Sequence, residues 1–318
     1  MKITLISFDN WGLNQHIAAK LTQNGHEVHH IDFHSFSYQY PNFLYKIYNF
    51  FLKTFFKKNI KNIYYGQEIL KKVKALGVTQ DVILTIKGDF VDPKYLKALK
   101  PFTHKSIGFF NDNSYRCPKI KRALHCFDQV FSFEKEDCEN FGLHFAPNWI
   151  YTQKPEIQPE FNYAVFNISS KDKRLQTLIK IAQDLKSKNI GYKFMVLDKE
   201  ATLPSDEIDY FKTKIPLEEV NQLVAHSKTL LDINRPGQKG LTFRVFESLG
   251  LEKKLITTNA DIVNYDFYNP NNILVIDESN PLIPADFFEK EYQKLPDALF
   301  YKYTLDGWID QVILGKKL

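Results

Sequence analysis

Short apolar runs and amphipathic stretches alternate along the first half of the chain. The runs predict strands at residues 2–8, 27–33, 81–86, 105–110 and 128–133. Apolar positions spaced three and four apart predict helices between them, the first at residues 12–24. This β-α-β order predicts a mostly parallel sheet that is covered by helices.

The same alternation restarts after a lapse at residues 151–161, where Pro155 and Pro159 predict an extended linker. Strands are predicted at 163–168, 192–197, 229–233 and 254–258, and helices at 172–188, 217–226 and 303–314. The fold class is therefore α/β, with two Rossmann-like domains facing each other across a cleft. We expect domains at 1–152 and 153–300, with a C-terminal helix at 301–318 that packs back toward the first domain.

Residues 236–250 predict an anion-binding turn in the second half. Thr242 is the predicted N-cap of a short helix, and Gly250 suits the left-handed position at its end. Backbone N–H groups at residues 240–243 would point at a bound anion, which the helix dipole also favours. Arg244 and Glu247 lie three apart and share a face of this helix.

Three segments of the second half, residues 166–174, 215–232 and 240–258, resemble the GT-B glycosyltransferases of the group-1 type, in particular bacterial capsule and lipopolysaccharide transferases. The resemblance implies a nucleotide-sugar donor site in the second domain. Glu247 matches the second glutamate of the family's pair, which implies contact with the donor ribose, whereas Lys239 stands where the first glutamate is expected. The implied donor-binding residues are Ser169, Ser170, Lys171, Lys173, Arg174, Lys239, Gly240, Leu241, Thr242, Arg244 and Glu247.

Simpler interpretations of these donor residues stay open. Lys171, Lys173 and Arg174 could form a solvated cluster, although cations at a helix N-terminus oppose its dipole unless an anion compensates. Glu247 could be an ordinary helical carboxylate that pairs with Arg244.

Polar residues after strands of the first half form a candidate acceptor side. Residues 109–116 are similar to segments of bacterial surface-polysaccharide transferases, and Asp112 follows a predicted buried strand, where it could take the acceptor hydroxyl's proton. The alternative is that Asp112 and Asn113 only turn the chain. Further acceptor-side candidates follow the first strand: Asp9, Asn10, Trp11 and Gly12.

The net charge of +5 is concentrated in residues 43–74, from Phe43 to Lys74. This segment has eight lysines and one glutamate, so the remainder of the chain carries about −2. Phenylalanines and lysines interleave at helical spacing in its first half, which predicts an amphipathic helix. The helix could lie on an anionic membrane surface or turn its apolar face to the core.

Several other classes of protein are disfavoured. No Gly-x-Gly-x-x-Gly follows a predicted strand, Asp89 and Asp92 are a poor match to the metal motif of GT-A transferases, and no nucleic-acid module is apparent. Three cysteines without close pairing, and no signal-peptide or spanning segment, predict a cytoplasmic protein, which the basic segment could hold at the inner face of the cell membrane. We expect a transferase that needs no metal or cofactor and moves a sugar to a glycan or lipid-linked glycan of the bacterial surface. The alternative is a non-catalytic, membrane-associated sugar-binding or assembly protein.

Overall fold

A computed structural model describes residues 1–157, 159–200 and 205–317. The chain divides into two compact units, the first made of Met1–Pro147 with Leu305–Leu318 and the second of Asn148–Thr304. Each unit contains one six-stranded sheet in which all paired strands are parallel. The prediction of two parallel α/β domains is confirmed.

The strands alternate with helices in both units. The strands are β1 (Lys2–Ser7), β2 (Glu27–Asp32), β3 (Gln80–Ile86), β4 (Thr103–Phe110), β5 (Gln129–Ser132), β6 (His144–Phe145), β7 (Tyr163–Ser170), β8 (Tyr192–Leu197), β9 (Asp209–Phe211), β10 (Ser227–Asp232), β11 (Lys254–Thr257) and β12 (Ile273–Val275). The strand order is β2-β1-β3-β4-β5-β6 in the first sheet and β12-β11-β10-β7-β8-β9 in the second.

Helices connect most of these strands. They are α1 (Gln15–Gln23), α2 (Phe43–Phe56), α3 (Ile60–Ala75), α4 (Pro93–Ala98), α5 (Ile120–Ala123), α6 (Lys135–Phe141), α7 (Leu175–Ser187), α8 (Leu217–Ala225), α9 (Phe243–Gly250), α10 (Asp297–Tyr303) and α11 (Leu305–Val312). The central strands are buried on both faces, which explains why they are continuous apolar runs rather than alternating ones.

Two helices begin three residues later than predicted, because a carboxylate caps the preceding turn. The Asp9 Oδ2 atom accepts hydrogen bonds from the N–H groups of Asn14 (2.9 Å) and Gln15 (3.1 Å), so α1 begins at Gln15. Asp172 Oδ1 accepts from the Arg174 N–H at 3.0 Å, and α7 begins after that turn. Side chains that hydrogen-bond the nearby backbone compete with the first helical turn.

The predicted C-terminal helix over residues 303–314 is present as α11 (Leu305–Val312) and begins two residues later than predicted. Thr304 has an extended backbone (φ −70°, ψ 165°) and separates α11 from the preceding helix α10, which was not predicted. Helix α11 belongs to the first unit, where the ring of Trp308 packs edge-on against Phe109 with 5.1 Å between centroids.

The basic segment also forms two helices, and the apolar side chains of α2 do not face the core. Phe43, Phe50 and Phe55 are 71%, 64% and 69% exposed, and Asn49 is the one buried residue of α2. Asn49 anchors the helix by hydrogen bonds, donating to the Tyr40 hydroxyl at 2.6 Å and accepting from the Ile60 N–H at 2.9 Å. Within the described residues, no helix is long and apolar enough to cross a membrane.

Gly250 has a different role from the predicted one. It does not adopt a left-handed conformation; that conformation occurs two residues later, at Glu252 (φ 52°). A Cβ atom at Gly250 would lie 2.3 Å from the backbone oxygen of Thr152 and 2.4 Å from the Ile150 side chain. Glycine is needed here because the chain segment before β7 crosses the end of α9 at close range.

Candidate functional site

The order of the second sheet reverses between β7 and β10, which are hydrogen-bonded neighbours. The segments that follow these two strands therefore leave toward opposite sides and open a crevice at the carboxyl edge. Ser169 and Ser170 end β7, and residues 233–242 follow β10. The Arg174 Nη1 atom donates to the Ile233 carbonyl at 2.8 Å and joins the two segments. We call residues 169–174 and 233–242 the donor loops, after the role that the sequence predicts for them.

The longer donor loop is held in shape by amide side chains. Asn234 donates its backbone N–H to Thr258 Oγ1 at 2.8 Å and its side-chain amide to the Gln238 carbonyl. Gln238 Nε2 donates to the Gly240 carbonyl at 2.9 Å, and Asn259 Nδ2 donates to the Lys239 carbonyl at 3.1 Å. The sequence did not single out these amides, although Asn and Gln within a loop are a common sign of such turns.

Thr242 is the N-cap of α9, as predicted. Its Oγ1 accepts from the Arg244 N–H at 3.2 Å and donates to Asp232 Oδ1 at 2.8 Å. Thr257 Oγ1 donates to the other oxygen of Asp232 at 3.2 Å. Burial raises the pKa of Asp232, while the Thr242 hydrogen bond and the nearby guanidinium groups oppose that rise. Sequence reasoning missed Asp232, which is the last residue of a buried strand.

Glu247 is 1% exposed and is engaged within the protein through both carboxylate oxygens. Oε1 accepts from the Tyr151 hydroxyl at 2.7 Å, and Oε2 pairs with the Arg244 guanidinium. That guanidinium also lies over the Phe166 ring, 5.9 Å from its centroid. Burial and the charge of Glu247 raise the pKa of Tyr151, which keeps the phenol protonated as a donor. The pairing of Glu247 with Arg244, considered as an alternative from sequence, is present.

The cations of the first donor loop differ in whether they form an ion pair with a carboxylate. Arg174 makes an ion pair with Asp172 at 2.7 Å in addition to its bond to Ile233. Lys171 pairs with Asp198 at 2.7 Å, and this hydrogen bond raises the pKa of Lys171. Lys173 is exposed and makes no ion pair within the described part of the chain. Lys239, on the second loop, is also exposed.

In the first unit, the order of the sheet reverses between β1 and β3, and Asp9 follows β1. The carboxylate of Asp9 is occupied by the backbone at the start of α1, and its own N–H donates to Asp32 Oδ1 at 3.1 Å. Gly12 has a positive φ of 76°, and Trp11 is 52% exposed. Asn10 is exposed as well. Asp9 and Gly12 shape this loop, which leaves Asn10 and Trp11 as its accessible side chains.

Asp112, the predicted catalytic base, lies at the end of β4 between two cations. Its Oδ2 accepts from Lys87 Nζ at 3.0 Å, and its Oδ1 accepts from Arg116 Nη1 at 3.0 Å. Asn113 supports the turn, since its Oδ1 accepts from the Arg116 N–H at 2.8 Å. Asn113 thus stabilises the turn, as the alternative interpretation stated, whereas Asp112 forms ion pairs with Lys87 and Arg116.

Asp89 is a second carboxylate at this edge, in the turn that follows β3. Burial raises its pKa to about 6, and the negative charge of Asp112 adds to the rise, while Lys87 and Lys119 oppose it. Lys87 has a left-handed backbone (φ 59°), a conformation that costs a non-glycine residue about 1 kcal/mol. Asp89 lines a cavity of about 660 Å³ with five cationic residues, namely Lys53, Lys57, Lys58, Lys119 and Arg122.

Two solved structures are similar to the chain over nearly its whole length. The α,α-trehalose 6-phosphate synthase of Burkholderia multivorans has a TM-score of 0.59 at 10% identity, covering 99% of this chain and 96% of that one. A UDP-GlcNAc 2-epimerase from Methanocaldococcus jannaschii has a TM-score of 0.51 at 11% identity, covering 99% of this chain and 100% of that one. The chain has the GT-B fold. No protein-family model matches it, and no curated protein sequence matches it.

Within this GT-B fold, Arg174 joins the two loops that carry most of the predicted donor residues, and the acceptor-side candidates follow strands β1 and β4 of the first sheet. Over residues 1–157, 159–200 and 205–317, no group of three or more His, Cys, Asp or Glu side chains is arranged to hold a metal ion. The roles of the donor residues, of Asp112 and of the loop at Asp9 stay predictions.

Proposed function

We propose that the protein is a nucleotide-sugar-dependent glycosyltransferase that binds its donor at the donor loops. One observation carries the proposal: two loops from neighbouring parallel strands are joined by Arg174, and the capped start of α9 lies at their end. An anion at that helix start is favoured by the dipole, and the loop that Arg174 joins to it also carries Lys171 and Lys173. The similar structures bear the names of a trehalose 6-phosphate synthase and a UDP-GlcNAc 2-epimerase, which also favours a nucleotide sugar.

In the proposed reaction the acceptor hydroxyl loses its proton to a carboxylate of the first unit. The acceptor oxygen forms a bond to the anomeric carbon, and the bond from that carbon to the nucleotide diphosphate breaks. Cations of the donor loops stabilise the negative charge that the diphosphate gains. Asp112 is the proposed proton acceptor, and Asp89, with a pKa of about 6, is the second candidate at the same edge.

Nucleotide binding tests the donor site. We expect a nucleoside diphosphate or nucleotide sugar to raise the melting temperature, because a ligand at 100 times its Kd stabilises a protein by about 2.7 kcal/mol. The Lys171→Glu/Lys173→Glu variant should lose this shift. The control variant Lys186→Glu/Lys212→Glu changes two exposed lysines of the same unit and should keep it.

Release of nucleoside diphosphate from the nucleotide sugar that binds separates the proposed functions. A transferase releases it when an acceptor or water takes the sugar, whereas a non-catalytic sugar-binding protein stabilises without release. An epimerase would change the sugar and keep the nucleotide attached. If none of a panel of nucleotides and nucleotide sugars shifts the melting temperature, the donor site is wrong.

We further propose that α2 docks the enzyme on an anionic bilayer, where a lipid-linked surface glycan would be the acceptor. Helix α2 exposes most of its large aromatic side chains, among them Phe43, Phe50 and Phe55, and residues 43–58 contain four lysines and no acidic residue. An exposed apolar face beside cations is complementary to the headgroup region of an anionic leaflet.

Vesicle sedimentation tests this docking with phosphatidylcholine vesicles that contain or lack phosphatidylglycerol. Each lysine near an anionic surface contributes about 1 kcal/mol, so Lys53→Glu/Lys57→Glu/Lys58→Glu should weaken binding about 100-fold or more. The matched control reverses three exposed lysines of the second unit, Lys186→Glu/Lys199→Glu/Lys212→Glu. Equal binding by the two triple variants would refute docking through α2.

A further inference from the structure

The second unit contains a cavity of about 440 Å³ that is lined by six lysines. It lies at the amino edge of the sheet, because Lys254 begins β11 and Thr229 is near the start of β10, whereas the donor loops follow the carboxyl ends. Glu252 and Glu291 are its only acidic lining residues among those described, so the lining carries a formal charge of +4. The lysines of this cavity are Lys154, Lys228, Lys253, Lys254, Lys290 and Lys294.

Two of these lysines are buried without an ion-pair partner among the described residues. Lys253 and Lys254 are 5% and 6% exposed, and neither makes an ion pair within the described residues. The Nζ atom of Lys253 donates to the carbonyls of Ala225 (3.0 Å) and Ser227, and that of Lys254 donates to the Phe287 carbonyl at 2.6 Å. Carbonyl oxygens satisfy hydrogen bonds but leave the positive charge uncompensated.

Aromatic rings, rather than carboxylates, lie against both ammonium groups. Lys253 lies over the Phe161 ring and Lys254 over the Phe287 ring, each 4.8 Å from the centroid. Burial lowers the pKa of Lys253 to about 8 and also lowers that of Lys254, and it outweighs the opposing charges of Glu247 on the first and of Glu291 and Asp286 on the second. Burying a cation costs several kcal/mol unless an opposite charge accompanies it, so an anion in this cavity would relieve that cost.

The rim of the cavity adds cations that are only partly neutralised. Glu252 is shared by Lys154 at 2.6 Å and Lys294 at 3.4 Å. Lys290 is 4.0 Å from its nearest carboxylate oxygen, on Asp286, and Lys228 is exposed and makes no ion pair within the described residues. Lys154 and Lys294 therefore share Glu252, and Glu291 is the one further acidic lining residue described for the other four lysines.

We propose that this lysine cavity binds a small molecule that carries a diphosphate or triphosphate group, at a site separate from the donor loops. A formal charge of +4 requires a multivalent anion for compensation, and the volume lies within the range of small-molecule sites. The aromatic side chains of Phe161, Phe288 and Tyr292 line the same cavity and offer a surface for an organic group attached to the phosphates. This inference does not depend on the proposed transferase activity.

Calorimetric titration with tripolyphosphate at constant ionic strength tests the site. The variant Lys228→Glu/Lys290→Glu changes rim lysines that are exposed, so it should fold and should weaken binding at the lysine cavity about tenfold or more. The control Lys186→Glu/Lys212→Glu makes the same charge change elsewhere on the second unit and should bind like the wild type.

A third variant distinguishes this site from the donor site. Lys171→Glu/Lys173→Glu alters only the donor loop, and tripolyphosphate binding at the lysine cavity should survive in it. The proposal is overturned if the wild type does not bind tripolyphosphate, if the rim variant binds like the control, or if the donor-loop variant loses all binding. Loss of nucleotide binding in the donor-loop variant with tripolyphosphate binding retained would support both sites independently.

Discussion

Acidic side chains have different surroundings at the carboxyl edges of the two sheets. In the second unit, Glu247 and Asp232 are buried and each oxygen of either carboxylate has a hydrogen-bond partner. In the first unit, Asp112 is held between Lys87 and Arg116 at 20% side-chain exposure, and Asp89 lines an open cavity with a raised pKa. The second edge is a fixed network, whereas the first is one where protonation can change near neutral pH.

This difference matches the two proposed roles. A loop that binds a diphosphate works best when its backbone and cap are already in position, because ordering them on binding would cost affinity. Thr242, Asn234 and Gln238 hold the second edge in this way. A proton acceptor needs a pKa near the working pH, and burial raises the pKa of Asp89 at the first edge to about 6.

Removing Glu247 should give the largest effect and tests whether the second edge is a fixed network. Glu247→Ala leaves the Arg244 guanidinium and the Tyr151 hydroxyl without their buried partner, so we expect the free energy of unfolding to fall by about 3 kcal/mol. Urea denaturation measures it. Glu219→Ala, at an exposed glutamate of α8, is the control and should change stability by about 0.5 kcal/mol or less.

The milder Glu247→Gln variant then separates stability from donor binding. It keeps an oxygen that can accept from Tyr151 and removes the charge that pairs with Arg244, so the protein should remain folded at room temperature. If Glu247 also binds the ribose, this variant should bind nucleotide more weakly than wild type. A loss of stability below about 1 kcal/mol in Glu247→Ala would mean that the network is not structural.

Local sequence patterns predict those parts of the donor site whose contacts are between residues close together in the chain. Thr242 was found as a cap because a threonine precedes an apolar helical run, and the two loops were found because they follow predicted strands. Asp232 was missed, since its partners Thr242 and Thr257 lie ten and 25 positions away and no local pattern connects them.

Burial is the property that the sequence could not supply. The periodicity of apolar residues in α2 can be seen in the sequence. Whether these side chains face the core or the solvent depends on the tertiary structure, and in the structure they are exposed. Lys253 and Lys254 look like surface lysines and are instead buried. The same limit applies to Gly250, because the sequence indicates a glycine requirement without distinguishing a left-handed turn from a close backbone approach.

Asp89 should give a smaller effect, and one that depends on pH. Its pKa is raised from 3.8 to about 6 in the folded protein, so below pH 4 the carboxyl is protonated in both the folded and the unfolded states. As the pH rises from 4 to 7, the unfolded chain releases this proton first, and the wild type loses stability relative to Asp89→Asn. We expect the difference in unfolding free energy to change by about 2 kcal/mol over that range.

Urea denaturation of wild type and Asp89→Asn at pH 4, 5, 6 and 7 measures this change, with Asp297→Asn at an exposed aspartate as the control. If the difference in unfolding free energy between the two proteins does not vary with pH, or changes in the opposite direction, the pKa of Asp89 is not raised in the folded protein. The result also bears on the reaction. If Asp89 is the group that accepts the proton, turnover should fall as the pH drops below about 6, and Asp89→Asn should abolish activity. Asp112→Asn should lower turnover but leave the same decline at acidic pH.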